Sequence, residues 1–451
     1  MAVLTSRRSF LKMGARAAAG GGLLSALGSF QRALAAADTS GYRALVCVYL
    51  DGGNDSFNMI APIAGAERDT YAAARGALAV PAEQLLPLSA LPGAAGYGLH
   101  PACAALHALS EQGRVGVVAN VGALLEPVTR EQYRARAVQL PAHLFSHADQ
   151  QRVCMGALAE TQGHGWAGRT ADLLLMQGHR QPLPVNLSVS GLNAWQAAAD
   201  SVPYVLGANG AARFAPLVDT SLGVSGRSAR FLGLLEQAGA DDNVLVRALA
   251  GAQSRAVDNS EHIAAALEAA SAPATTFPNT GIGRQLAMAA RIIAARQQLG
   301  ASRQLIFVRV PGWDMHDHQL QNHPLRLAEL CAALKAFSDA TVELGVDHAV
   351  TAFTTSEFGR TLTHNGDGTD HGWGAHHLVV GGAVRTGLHG RMPLLAIGGP
   401  DDAGAGRIIP GTAFDQYFAT LARWLGLGEA DLDSLFPQLN RFASRDLGFM
   451  S

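Results

Sequence analysis

Arg43-Ala44-Leu45-Val46-Cys47-Val48-Tyr49-Leu50, followed at once by Asp51-Gly52-Gly53-Asn54-Asp55-Ser56, is the stretch that decides the fold. Its apolar, β-rich run reads as a buried strand, and the Asp-Gly-Gly that follows reads as the loop into which the strand empties. Similar runs recur at Arg114–Asn120, Gln304–Val310, His348–Thr355 and His377–Val384. Between them lie helical patterns at Pro101–Gln112 and Pro324–Leu344, the latter ending at Gly345. Strands alternating with helices of this length predict an α/β fold with a mostly parallel central sheet and helices on both faces. The alanine-rich stretch at about 225–300, broken by Gly281 and Gly283, predicts a helical layer or insertion. The chain closes on two amphipathic helical patterns, Thr412–Leu425 and Ala430–Phe442.

Composition agrees with a large folded body. The 451 residues are 48% hydrophobic and 16% charged, which excludes a disordered or fibrous protein. The 34 basic and 36 acidic residues nearly cancel, but five of the basic ones (Arg7, Arg8, Lys12, Arg16, Arg32) precede residue 37, where no acidic residue occurs. Without that stretch the balance is 29 against 36, about −7. A mildly acidic body gives no basis for nucleic-acid binding, which relies on Lys and Arg to neutralise phosphates.

The N-terminus has the layout of an export signal. Thr5-Ser6-Arg7-Arg8-Ser9-Phe10-Leu11-Lys12 is a charged opening, Met13 to Phe30 a soft Ala/Gly/Leu stretch, and Ala33-Leu34-Ala35-Ala36-Ala37 a small-residue cleavage region. The paired arginines predict a twin-arginine signal over 1–36, read by the machinery that exports folded proteins, and hence a periplasmic or secreted product. No later stretch has the 18 or more apolar residues of a membrane span. Cys47, Cys103, Cys154 and Cys331 are too widely spaced for a zinc-finger pattern, and Cys47 reads as a buried small apolar residue.

Polar chemistry collects where the strands end, the place where open α/β sheets bind ligands. Asp51 follows the first strand, Asp314-Met315-His316-Asp317-His318 the third, and Ser356-Glu357-Phe358-Gly359-Arg360 the fourth, with Asp370-His371 in a glycine-rich loop beyond. Nine of the sixteen histidines fall between His316 and His389. Mixed Asp/Glu/His clusters of this kind suit divalent metals of the Zn or Mn type. Asp314 and His318, four apart, would share a face on a helical turn. His376 and His377, just before a strand, read as structural.

Three segments carry a family resemblance: LDGGNDSFNMIAP (50–62), TTSEFGRT (354–361) and GTDHGWGAHHLVVGG (368–382), behind the twin-arginine signal. In this order they resemble domain-of-unknown-function family 1501, exported bacterial proteins within the alkaline phosphatase and sulfatase superfamily. The resemblance implies a single alkaline-phosphatase-like domain over 37–451, with its metal site at the strand ends. It implies one tight metal of the Zn or Mn type held by Asp314, His318 and His371. It also implies a second metal at Asp51 and Glu357. Phe358 stands where the superfamily has a histidine, so that second site would rely on oxygen ligands, suiting a weaker ion of the Mg or Ca type. Ser146, in Leu144-Phe145-Ser146-His147-Ala148-Asp149, matches best the nucleophile expected at a helix start, and Arg360 would offset charge on the ester. No Cys-x-Pro-x-Arg motif occurs, which argues against a formylglycine sulfatase. The expected activity is hydrolysis of a phosphate-type ester, less so a sulfate ester, in a small molecule or a polymer. The alternative is an exported, non-catalytic protein that uses the same fold to bind a polymer or partner at the cell surface.

Overall fold

The computed structural model describes residues 38, 40–156, 160–210 and 225–451, side chains of 225–228 excepted; the export signal read over 1–36 lies outside the described residues. Strand β1 (Arg43–Asp51) lies inside a nine-stranded sheet. Ala44, Val46, Val48 and Leu50 face one hydrophobic core, while Leu45, Cys47 and Tyr49 face the other. Successive side chains of a strand point to opposite faces, so a strand covered on both sides must be apolar throughout. Burying one Val or Leu contributes roughly 1.5–3 kcal/mol, so β1 cannot be slipped or exposed without losing much of the domain's stability.

The neighbours of β1 are β8 (Arg303–Pro311) and β9 (Val350–Thr355), both parallel to it. Beyond β8 the sheet continues through β6 (Asn186–Ser188) to β7 (Tyr204–Val205), again in parallel. Beyond β9 come β12 (Ala375–Val380) and β5 (Val115–Gly122); β13 (Gly387–His389) and β14 (Thr412–Ala413) pair with the outer edge of β5. Among the described residues β12 alone runs antiparallel to its neighbours. The reversal has a local cause. A hairpin of β10 (Arg360–His364) and β11 (Thr369–His371) turns the chain round just past the carboxyl end of β9. The same hairpin holds Arg360 and His371 at that end. A separate three-stranded sheet is formed by β2 (Ile60–Pro62), β3 (Leu86–Pro87) and β4 (Tyr97–Leu99).

Helices Ala104–Glu111, Gly281–Ala294 and Gln319–Glu343 pack on one face, and Trp166–Met176 and Phe414–Leu425 on the other. The expected layering is therefore present, as is a mostly parallel sheet. Three boundaries differ from expectation for identifiable reasons. Helix Gln319–Glu343 starts more than a turn ahead of Pro324. Proline there removes one intrahelical bond, but the carbonyl it frees belongs to Leu320, which is half exposed. The helix expected over Ala430–Phe442 stops at Leu435, because Pro437 drives Phe436 out of helical geometry. Gly281 and Gly283 do not interrupt a helix; they form the first turn of one, capped by the Thr280 hydroxyl. That helix belongs to the sheet's core, which Val244–Ala269 joins near its end through Ile263, Ala266 and Leu267, while Ser225–Gly239 packs on Val244–Ala269. His376 and His377 lie within β12, buried, and burial holds both neutral by lowering their pKa to about 3. All four cysteines are buried and free. No helix among the described residues is long and apolar enough to cross a membrane.

Candidate metal centre

The turn after β1 makes room for everything else at this end of the sheet. Gly52 has φ +120°, and a Cβ on it would lie 2.4 Å from the Asp314 amide nitrogen. Gly53 has φ +89°, and a Cβ there would lie 2.7 Å from the Phe358 ring. Both the backbone angle and the space demand glycine. The loop after β8 therefore lies directly against the β1 turn and sets Asp314 at the centre of a ring of imidazoles.

His147 Nε2 lies 3.3 Å from Asp314 Oδ2, and His371 Nε2 lies 3.2 Å from Asp314 Oδ1. One ligand atom from each of these three residues falls within 4.8 Å of the other two. His316 approaches the same carboxylate, its Nε2 3.0 Å from Asp314 Oδ1 and 3.0 Å from His371 Nε2. Each imidazole is anchored through its other nitrogen. His147 Nδ1 meets Glu357 Oε1 at 2.9 Å, His371 Nδ1 meets the Phe145 carbonyl at 2.8 Å, and His316 Nδ1 meets Asp370 Oδ1 at 3.2 Å. Those partners are all acceptors, so each Nδ1 carries a proton, and in its neutral form each ring turns an Nε2 lone pair toward Asp314. Anchoring of this kind is how proteins orient histidines for a metal.

The electrostatics separate the rings. The Glu357 hydrogen bond, ahead of Asp314, raises the His147 pKa above its ordinary value, whereas burial lowers that of His371. Burial pushes the Asp314 carboxyl up, but Arg360 outweighs it and holds the group below the usual range. Phe358 stacks on His371 at 4.6 Å between ring centroids and tilts against His147 at 4.9 Å, so it walls the pair on one side.

The residues expected from sequence take different places. Asp314 and His371 stand together in the centre. His318 does not join them: residues 312–318 are not helical, so the four-residue spacing puts no shared face there. His318 instead precedes helix Gln319–Glu343 with φ 50°, its side chain exposed beside Asp317 at 3.6 Å. His147 instead completes a group with Asp314 and His371, and His316 lies against the same carboxylate. Glu357 is fully buried and accepts bonds from Tyr49 Oη, the Gly52 amide, Ser356 Oγ and His147, so it orients the His147 ring. Asp51 is bonded by Arg309, with Nε at 2.9 Å, and by Gln151 at 3.0 Å. Arg360, 1% exposed, binds Asp314 at 2.6 Å and the Gly52 and Thr369 carbonyls, so its charge is committed to holding Asp314. Ser146 begins helix His147–Cys154 without a side-chain capping bond.

His147 and His316 are the ligand-type residues that sequence reasoning passed over. His147 adjoins Ser146 at a helix start, and its partner Glu357 is 210 residues away, so no spacing announces it. Asp55 also went unassigned. It is buried in an ion pair with Arg75, whose Nε donates to Asn58 and whose Nη1 donates to the Thr361 carbonyl, both at 2.9 Å. Gln319 donates to Asp55 and accepts from Thr369 Oγ1 at 2.7 Å.

The profile of a family described as protein of unknown function (DUF1501) matches residues 42–403. No curated protein matches the chain.

Proposed function

The chain belongs to the DUF1501 family, and we propose that it is an exported, metal-dependent hydrolase of a phosphate-type ester. The proposal takes the fold as alkaline-phosphatase-like and places the chain in the alkaline phosphatase and sulfatase superfamily. One observation carries it: imidazoles locked through Nδ1 turn Nε2 lone pairs onto the oxygens of a single carboxylate. Acceptors facing acceptors at 3.2–3.3 Å repel unless a proton or a cation lies among them. A raised pKa supplies the proton at His147, but the His371 pKa is lowered, so a cation fits the set better than protons do.

His147, Asp314 and His371 would hold a divalent ion of the Zn or Mn type, with His316 within reach of the last two. Such an ion, when bound, polarises an ester oxygen and offsets its charge. Arg360 fixes one Asp314 oxygen and leaves the other facing His147. Glu357 keeps the His147 proton on Nδ1. Ser146, with a hydroxyl unspent on capping and His147 as its neighbour, is the proposed nucleophile. Asp51 and Glu357 have their oxygens engaged by side chains and a backbone amide, so the proposal has one tight ion and assigns no second.

The test is metal analysis of protein recovered from the periplasm, joined to a panel of chromogenic phosphomonoesters, phosphodiesters and sulfate esters. The expected result is close to one tightly held ion per chain, hydrolysis of a phosphate-type member, and loss of both in His371→Ala. A metal-replete protein inert to the whole panel would favour a non-catalytic exported binder. A tight ion that survives His371→Ala would refute the ligand set.

A further inference from the structure

A second site lies apart from the strand ends, between the amino-terminal turns of helix Gln319–Glu343 and the segment 78–84. It is a cavity of about 330 Å³ whose walls include Leu78, Val80, Pro101, Leu320 and Pro324. Two histidines line it, His100 and His323, with ring centroids 6.2 Å apart and planes nearly perpendicular at 80°. Both residues are more than nine-tenths buried, at 8% and 3% exposure.

Their hydrogen bonds fix their tautomers. His100 Nδ1 accepts from the Ala102 amide at 3.0 Å, so its proton is on Nε2. His323 Nε2 donates to Asn54 Oδ1 at 3.1 Å, so its Nδ1 keeps a lone pair. Burial lowers both pKa values, that of His323 to about 4, so the rings are neutral. Neither His100 Nε2 nor His323 Nδ1 has a partner among the described residues, and neither is among the buried atoms sealed from solvent. The cavity, which Asn58, Gln84 and Gln319 also line, thus holds one unused donor and one unused acceptor on adjacent rings amid largely apolar walls.

We infer that this cavity binds a small, neutral, ring-sized molecule bearing one hydroxyl, whose oxygen accepts from His100 Nε2 and donates to His323 Nδ1. A hydroxyl is the simplest group that answers a donor and an acceptor with one atom. The size fits, because an apolar cavity of about 150 Å³ already admits a benzene ring. Water would satisfy the two nitrogens but not the apolar walls. The inference does not depend on the metal reading.

Phenol is the probe. Saturation-transfer NMR and calorimetric titration of the full chain should show saturable binding, and the His323 Nδ1 resonance should shift as it accepts a bond. His323→Leu should weaken phenol about tenfold, one hydrogen bond's worth. Because that change also strands Asn54, Ala79→Trp serves as a second variant: Ala79 lines the half-exposed lip, and the indole would fill the cavity. Loss of binding in Ala79→Trp, with the metal content unchanged, supports the site. Absence of saturable binding, or binding that Ala79→Trp leaves intact, overturns it.

Discussion

The Asp-Gly-Gly-Asn-Asp turn sits between two polar groups that end differently. Asp55, at the far end of the turn, is fully buried and paired with Arg75, Gln319 answers it as well, and Arg75 spends its remaining donors on Asn58 and Thr361. Asp314, packed against Gly52 at the near end, also receives an arginine, yet it stays 40% exposed and faces the Nε2 atoms of His147 and His371, the second of which burial keeps from holding a proton to give it. Both groups are carboxylate–arginine pairs by composition. One is spent on holding the chain together, and the other keeps unused lone pairs. A buried ion pair alone says little about function; the surplus of acceptors around Asp314 is what points to a ligand.

The comparison breaks most readily at Arg75. Arg75→Met should leave Asp55 charged and unpaired in the interior and cost about 3–5 kcal/mol in urea unfolding of the metal-free protein. Burial pushes the Asp55 pKa up, but Arg75 outweighs it and depresses the value overall. The pair's contribution is therefore present above the unfolded carboxylate pKa and is lost only as pH falls through the lower folded value. In Arg75→Met the burial of Asp55 is unopposed and raises its pKa, so the penalty should be no smaller at about pH 8 than at about pH 6. A loss below about 1 kcal/mol would mean that the two groups are alike after all.

Glu357→Gln comes next. It keeps the shape but offers His147 a weaker, neutral partner, and metal affinity should fall roughly 10–100-fold by competition with a chelator while the fold survives. An unchanged affinity would reduce Glu357 to packing.

The pH dependence of His147 sharpens the contrast in the opposite sense to Asp55. Its folded pKa is raised, first by Glu357, so its contribution to the metal-free protein is full below the unfolded histidine pKa and fades as pH rises through the folded value. His147→Gln should therefore destabilise more at about pH 5.5 than at pH 9, judged by urea midpoints. A penalty that grows with pH would contradict the Glu357 bond. Ser146→Ala should have the smallest effect on stability, under about 0.5 kcal/mol, because its hydroxyl makes no capping bond. Turnover should vanish, and surviving turnover would remove Ser146 as nucleophile.

What could be read in the sequence follows the range of the interactions. The strands of the inner sheet announce themselves because a run such as Leu45–Leu50 is buried on both faces, and no distant residue is needed to explain it. Asp314 and His371 were legible as strand-end polar residues. The other histidines around Asp314 were not, because their places depend on long-range contacts and on backbone outside regular structure. A helical turn at 314–318 would have chosen His318; the irregular loop chooses His316 and leaves His318 as the residue before the helix. Arg360 looked like a free cation beside a site, and only the hairpin of β10 and β11 reveals that Asp314 and Thr369 already occupy it.

Two of the three Nδ1 bonds that orient the rings also join the most distant parts of the chain. His371 reaches the Phe145 carbonyl across 226 residues, and His147 reaches Glu357 across 210. Helix His147–Cys154 has eight residues, too few to persist on its own in water. Its amide protons are thus expected to exchange with deuterium at a rate set by this clasp, slowly while the ion is held and faster once a chelator removes it. Closing so long a loop costs little more than closing one half its length, because the entropy grows only with the logarithm of the contour. A centre assembled from opposite halves of the polypeptide is therefore also a fastener, and its opening would be felt first as local fraying of one short helix.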